Sequence, residues 1–171
     1  MPYKKGPYGT LRYYNGSTGR YENNPMLLTN SIKKKKSYQQ KEQERKDEIE
    51  YLARKSSDKN LYEVYKMLEK INPGTTRHVN YKYFDKISGK EREFDIITTK
   101  AIYEIKSGSR GRHVKQFLSQ IEIAKRIGKD HVVYSPGISN YQVKHLRKMG
   151  INVYNNFAQL EEMEKKRKWK I

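Results

Sequence analysis

A mixed α/β fold, with helices flanking a central sheet, is what this sequence predicts, and three observations carry the prediction. Helical and strand-like hydrophobic periods alternate along residues 41–171. Asn72-Pro73-Gly74, Ser88-Gly89, Ser107-Gly108 and Pro136-Gly137 punctuate those periods sharply. At 171 residues, the chain can bury one good core and carry an appendage.

Residues 1–40 form that appendage, an extension or linker rich in Gly, Tyr and Lys. Gly6, Pro7, Gly9, Gly16, Gly19, Asn23, Asn24 and Pro25 interrupt it, and no period is sustained. Lys33 to Lys36 make a basic run of the kind usually found in a solvated tail. Residues 39–56 then predict a helix, with Ile49, Leu52 and Ala53 on one narrow face. A stronger helix spans 59–71, where Leu61, Val64, Tyr65, Leu68 and Ile71 form one apolar stripe, and Asn72-Pro73-Gly74 stops it. Val79 to Phe84 alternates as a strand, and Ser88-Gly89 marks a turn. Two further strands follow at 94–97 and 101–106, joined by Thr98-Thr99-Lys100. Arg112 to Ile127 predicts an amphipathic helix with Val114, Phe117, Ile121 and Ala124 as its core stripe. A strand at His131 to Ser135, a helix over 139–149, a strand at Ile151 to Tyr154 and a last helix complete the alternation.

The chemistry concentrates in Glu93-Phe94-Asp95-Ile96-Ile97 and Tyr103-Glu104-Ile105-Lys106-Ser107-Gly108. Strand alternation puts Glu104 and Lys106 on one side of the sheet and Ile105 on the other. Asp95 can converge with them from the neighbouring strand. Two carboxylates and a lysine at the end of a sheet suit a divalent ion and the water it activates. The same triplet on a half-exposed strand would otherwise be a solvated face. Strongly strand-like neighbours and the abrupt stop at Ser107-Gly108-Ser109-Arg110-Gly111 favour the chemical alternative, a metal-dependent nuclease.

Asp95, a gap of eight residues, and then Glu104-Ile105-Lys106 resemble the PD-(D/E)XK nuclease superfamily over about residues 59–155. Phe94 stands where the motif's proline would be. The resemblance implies a restriction-endonuclease-like core: a helix, a three-strand meander, a second helix and a further strand. Asp95, Glu104 and the Ile105 carbonyl would then hold Mg²⁺, with Mn²⁺ as a substitute, because such ions prefer oxygen ligands. Lys106 would position or help deprotonate the attacking water and stabilise the pentavalent phosphorus. The resemblance also implies an acid on the leading helix, Glu63, with Glu69 as its competitor. It implies a supporting amide on the following helix, assigned to Gln120, with Gln116 one turn away on the same face. For Gln120 a solvent-facing amide is the open alternative.

Charge and composition bound the partner. Lys and Arg number 37 against 19 Asp and Glu, a formal net charge of +18, which favours polyanions through counterion release. Nucleic acid is the expected partner, and an acidic protein the second. No run is long and apolar enough to suit a membrane span, and no secretory signal peptide opens the chain. The absence of cysteine excludes disulfides, thiolate chemistry and cysteine-ligated zinc. His78, His113, His131 and His145 show no zinc-binding pair spacing, and no phosphate-cradling glycine loop supports nucleotide hydrolysis. His131 is expected to be structural, and His113 to open a helix near the motif. The terminal run Lys165-Lys166-Arg167-Lys168-Trp169-Lys170 could hold a nucleic-acid backbone or be a solvated tail.

Arg12-Tyr13-Tyr14, followed by Thr18-Gly19-Arg20-Tyr21 and Pro25, resembles the junction of Rhs-repeat proteins that precedes their toxic C-terminus, with Asn15-Gly16 in place of Asp-Pro. It implies a DNA endonuclease acting as a toxin domain, secreted or delivered within a larger protein and active in the target-cell cytoplasm. An acidic immunity protein would accompany it. A transfer-RNA-cleaving toxin of the same fold, a stand-alone repair or junction nuclease, and a non-catalytic nucleic-acid binder are the alternatives.

Overall fold

The computed structural model describes residues 4–5, 11–15, 20–23, 37–108 and 113–168. They fall in two compact units, residues 1–43 and 44–171. In the first, β1 (Lys4–Lys5), β2 (Leu11–Asn15) and β3 (Arg20–Asn23) form an antiparallel sheet, with Tyr14 opposite Tyr21 and Asn15 opposite Arg20. The extension therefore contains regular structure that its sequence did not announce. Tyrosines favour strands, but segments of two to five residues are too short for a period to emerge.

The second unit begins within α1 (Tyr38–Lys55), which buries Ile49 and Ala53 and leaves Leu52 exposed. Next comes α2 (Lys59–Ile71), whose apolar stripe of Leu61, Val64, Tyr65, Leu68 and Ile71 is buried as its spacing predicts, joined by Met67. Asp58 caps it, its carboxylate accepting the Asn60 N–H at 2.9 Å. The remaining elements are β4 (Thr76–Asp85), β5 (Lys90–Thr98), β6 (Ala101–Ile105), α3 (Val114–Arg126), β7 (Asp130–Tyr134), α4 (Asn140–Lys148), β8 (Val153–Tyr154) and α5 (Phe157–Lys168).

These five strands form one mixed sheet in the order β4-β5-β6-β7-β8. The first three run as an antiparallel meander, and β6, β7 and β8 are parallel. Parallel neighbours need a crossover, which α3 supplies between β6 and β7 and α4 between β7 and β8. The sheet is covered on both faces. Ala101, Tyr103 and Ile105 of β6 pack with α1, α2 and Leu160 of α5. Ile102 packs on the other face with Ile123 and Ala124 of α3, while Val133 and Val153 meet Phe117, Val143 and Leu146. Burial on both faces is why the central strands are nearly all apolar.

Two features of the meander shape the region around the motif. The β4–β5 ladder runs from Thr76 opposite Thr98 to Asp85 opposite Lys90, whereas β5 and β6 pair only at Ile96–Tyr103 and Ile97–Ile102. The outer half of the hairpin is instead anchored to α3. Phe94 packs against Ile123 and Ala124, and Asp85 pairs with Arg126 at 3.0 Å. At the hairpin tip Gly89 adopts φ +65° and donates its N–H to the Asp85 carbonyl at 2.8 Å, a turn conformation that suits glycine.

At the far edge of the sheet, both Nε and Nη2 of Arg147 donate to the Val153 carbonyl, at 3.0 and 2.8 Å. The same guanidinium lies 5.1 Å from the Tyr154 ring centroid. The terminal basic run is only partly a solvated surface. Lys165 and Lys166 pair with Glu161 and Glu162 one turn back, both at 2.7 Å. Arg167 turns inward, reaching Glu164 at 2.8 Å, the Tyr103 hydroxyl at 2.9 Å and Asp130 at 3.2 Å. It locks α5 onto β6 and β7 and is not available to a nucleic-acid backbone. Trp169 and Lys170 lie outside the described residues.

Candidate active site

The site forms where β5 and β6 stop pairing. Extending their register by one position would set Asp95 opposite Glu104, and residues directly opposite in an antiparallel pair share a face. In place of a further ladder bond, the Asp95 side chain takes over: its Oδ2 accepts the Ile105 N–H at 2.6 Å. Glu104 and Lys106 lie on one side of β6, as alternation requires, and Lys106 Nζ sits 2.5 Å from Glu104 Oε1. Asp95, Glu104 and Lys106 are thus gathered at one corner.

Glu104 is only 1% exposed, so its charge must be compensated inside the protein. Three donors do this. Lys106 and Gln116 Nε2 both address Oε1, the latter at 2.8 Å, and Gln120 Nε2 donates to Oε2 at 2.8 Å. Gln120 is also 1% exposed, and its amide reaches the Glu93 carbonyl at 3.2 Å. It is an interior group rather than a solvent-facing one. The buried stripe of α3 is accordingly Phe117, Gln120, Ile123 and Ala124, with Val114 and Ile121 only partly covered. A glutamine counts as polar in any hydrophobic period, and only its partner across the sheet brings it inside.

His131 extends this chain of contacts, with Nε2 3.3 Å from Gln120 Oε1. The ring is buried, which lowers its pKa to about 4. The backbone of Lys106 is fixed as well: its N–H donates to the Tyr134 carbonyl and its carbonyl accepts the Ser135 hydroxyl, both at 2.9 Å. Ser107 is tied to the start of α2, donating to Asp58 Oδ2 at 2.5 Å and accepting from Asn60 Nδ2 at 2.7 Å. His131 and Ser135, and the contacts of Asp58 and Asn60 with Ser107, carried no motif signal, because they join segments distant in sequence.

Asp95 carries the electrostatic signature of the corner. Burial, and then the neighbouring charge of Glu104, raise its carboxyl well above the usual carboxylate range. The Ile105 N–H and the Lys106 ammonium pull the other way, and Glu93 adds to the rise. Among the described residues no group of three or more His, Asp and Glu side chains gathers as a metal site. The two carboxylates gathered here, and the Ile105 carbonyl expected to join them, are all oxygen donors. That set fits a hard divalent ion such as Mg²⁺, which needs only one or two carboxylates and keeps its water. Two acids pressed together at one buried corner are stabilised by such a charge.

Glu63 does not join this group. It is exposed on α2, on the opposite side of the sheet from α3, and lines a cavity of about 520 Å³ with Lys66, Lys70, Phe157 and Glu161. The electrostatic effect it exerts is on Tyr134, whose hydroxyl pKa is raised first by burial and then by Glu63. Its competitor Glu69 is occupied in the turn after α2, accepting the N–H of Gly74 at 2.7 Å and of Thr76 at 3.3 Å. His113 stands exposed at the start of α3, its ring 6.1 Å from that of Phe117. Comparison with protein-family models, curated proteins and solved structures finds no match to this chain.

Proposed function

We propose that this protein is a metal-dependent phosphodiesterase of restriction-endonuclease-like fold, acting as a DNA endonuclease in a bacterial toxin. The observation that carries the reading is the convergence of Asp95, Glu104 and Lys106 at one corner, with Glu104 buried and held by three donors. The order α2, a β4–β5–β6 meander, α3 and β7 supports the fold assignment. Residues 12–25 support the toxin assignment through their resemblance to the Rhs junction. The formal charge of +18 suits a polyanionic substrate and an acidic immunity protein.

Asp95, Glu104 and the Ile105 carbonyl are the groups that would hold Mg²⁺. Bound there, the ion would acidify the attacking water and offset charge developing on the phosphate. Gln116 and Gln120 hold the Glu104 carboxylate in one orientation. Lys106, its backbone fixed to Tyr134 and Ser135, holds an ammonium beside Glu104. That ammonium would orient the water and stabilise the phosphate, and a lysine can surrender a proton where a guanidinium would not.

The test incubates the protein with supercoiled plasmid and, separately, with total transfer RNA. Each is run with Mg²⁺, with EDTA and with Lys106→Ala. The expected result is Mg²⁺-dependent plasmid cutting, reduced about a hundredfold or more in the variant. Cutting of transfer RNA alone keeps the site and changes the substrate. No cutting of either, or equal cutting by the variant, overturns the enzymatic reading in favour of a nucleic-acid binder.

A further inference from the structure

His131 lies on β7, two strands from Asp95, and nothing in its sequence context connects it to the acids. Yet it ends an unbroken buried chain, Glu104–Gln120–His131, whose two links are 2.8 and 3.3 Å long. We infer that His131 is a positioning residue of the candidate active site: its Nε2–H fixes the orientation of the Gln120 amide, and through it the Oε2 atom of Glu104. The inference rests on the nuclease reading for its functional part only.

Hydrogen-bond chemistry determines the direction of each link. Glu104 Oε2 and the Glu93 carbonyl can only accept, so the group of Gln120 facing both must be the NH₂. Its Oε1 then faces His131 and can only accept. The ring nitrogen opposite must therefore carry a proton, which assigns the Nε2–H tautomer. His131 Nδ1 is buried with no hydrogen-bond partner among the described residues, consistent with a bare nitrogen on a neutral ring. If the amide turned over, its oxygen would face the Glu104 carboxylate and its NH₂ would face an N–H. The reversed amide is thus opposed from both ends: by Glu104 and the Glu93 carbonyl, and by the imidazole, which could accept from it only by moving its proton to the buried Nδ1. An apolar residue at 131 would remove the second constraint and leave Gln120 Oε1 without this donor. Partners of this kind typically change metal affinity or activity by about tenfold to a hundredfold when removed.

Three readouts test this on the whole chain. The first is the tautomer, read from the ring ¹⁵N shifts of ¹⁵N-histidine-labelled protein. A protonated Nε2 and bare Nδ1 at His131 are expected, and the opposite tautomer overturns the inference without any variant. The second compares His131→Phe, which keeps a planar ring without a donor, with His131→Gln, which restores an N–H at the same reach. The Gln120 side-chain amide signals are expected to shift and exchange faster in His131→Phe and to return toward native in His131→Gln. The third is the Mn²⁺ dissociation constant by calorimetry, together with kcat and KM for plasmid. His131→Phe is expected to weaken Mn²⁺ binding or lower kcat about tenfold with KM unchanged, and His131→Gln to recover most of it. Unchanged amide signals and Mn²⁺ affinity in a folded His131→Phe overturn the inference. If the parent protein cuts neither nucleic acid, the nuclease reading fails by itself, while the tautomer and amide signals still decide the placement of Gln120.

Discussion

Asp95 shows what it costs to assemble this corner. In the ordinary range a carboxyl is ionised at neutral pH, but here burial and the adjacent Glu104 oppose its ionisation. A carboxyl whose folded pKa lies above its unfolded value binds its proton more tightly when folded. The folded state is therefore penalised as pH rises past the unfolded pKa, and the penalty is complete above the folded one. Below an unfolded pKa of about 4 there is no penalty. In EDTA, Asp95→Asn is thus expected to raise stability at pH 8 by about 1 kcal/mol or more, with the gain vanishing near pH 4. Urea melts of both proteins across that range check it. A parent that is as stable as the variant at pH 8 refutes the assignment of strain to Asp95. Under the proposed function the same variant loses Mg²⁺-dependent cutting, the usual exchange of stability for activity at a site of clustered charge.

At the scale of elements, what was legible followed from local periodicity. Helix α2 was legible end to end because five apolar residues at helical spacing are followed by Asn72-Pro73-Gly74. The Asp95, Glu104 and Lys106 corner was legible because alternation on two adjacent strands is a local rule. What failed depended on contacts between distant segments. The strands β4 and β5 extend beyond the expected spans 79–84 and 94–97, since Arg77, His78, Glu91 and Glu93 are exposed polar residues on a hairpin whose ladder continues regardless. Gln120 and Arg167 look like surface residues until Glu104, Glu164 and Asp130 meet them. Glu63 fits a helical glutamate by spacing, but its exposed position on α2 places it on the side of the sheet away from Gln116 and Gln120. The start of α4 carries a further local device. Ser139 accepts the Gln142 N–H at 3.3 Å while Gln142 Oε1 accepts the Ser139 N–H at 2.9 Å. Ser139→Ala is expected to lower stability by about 1 kcal/mol in denaturant melts, with cutting unchanged.

For the whole molecule the decisive quantity is the excess of positive charge. A formal +18 spread over 171 residues gives attraction to any phosphate chain, whatever its bases. Binding to duplex DNA in EDTA is expected to weaken by about a thousandfold or more between 50 and 200 mM salt, if six or more phosphates are neutralised. It should differ little between unrelated sequences. Fluorescence anisotropy across a salt series checks both, and an affinity flat in salt removes electrostatics as the source of binding. Such a charge keeps copies of the chain apart only in dilute salt. The two donors that Arg147 places on the Val153 carbonyl act at every ionic strength and by a different route. An open strand border invites a stranger's backbone to continue the sheet, and here the invitation is already answered from within, with Tyr154 shielded by the same guanidinium. When salt cancels the repulsion and copies crowd together, the Val153 carbonyl on this margin of the sheet is still occupied.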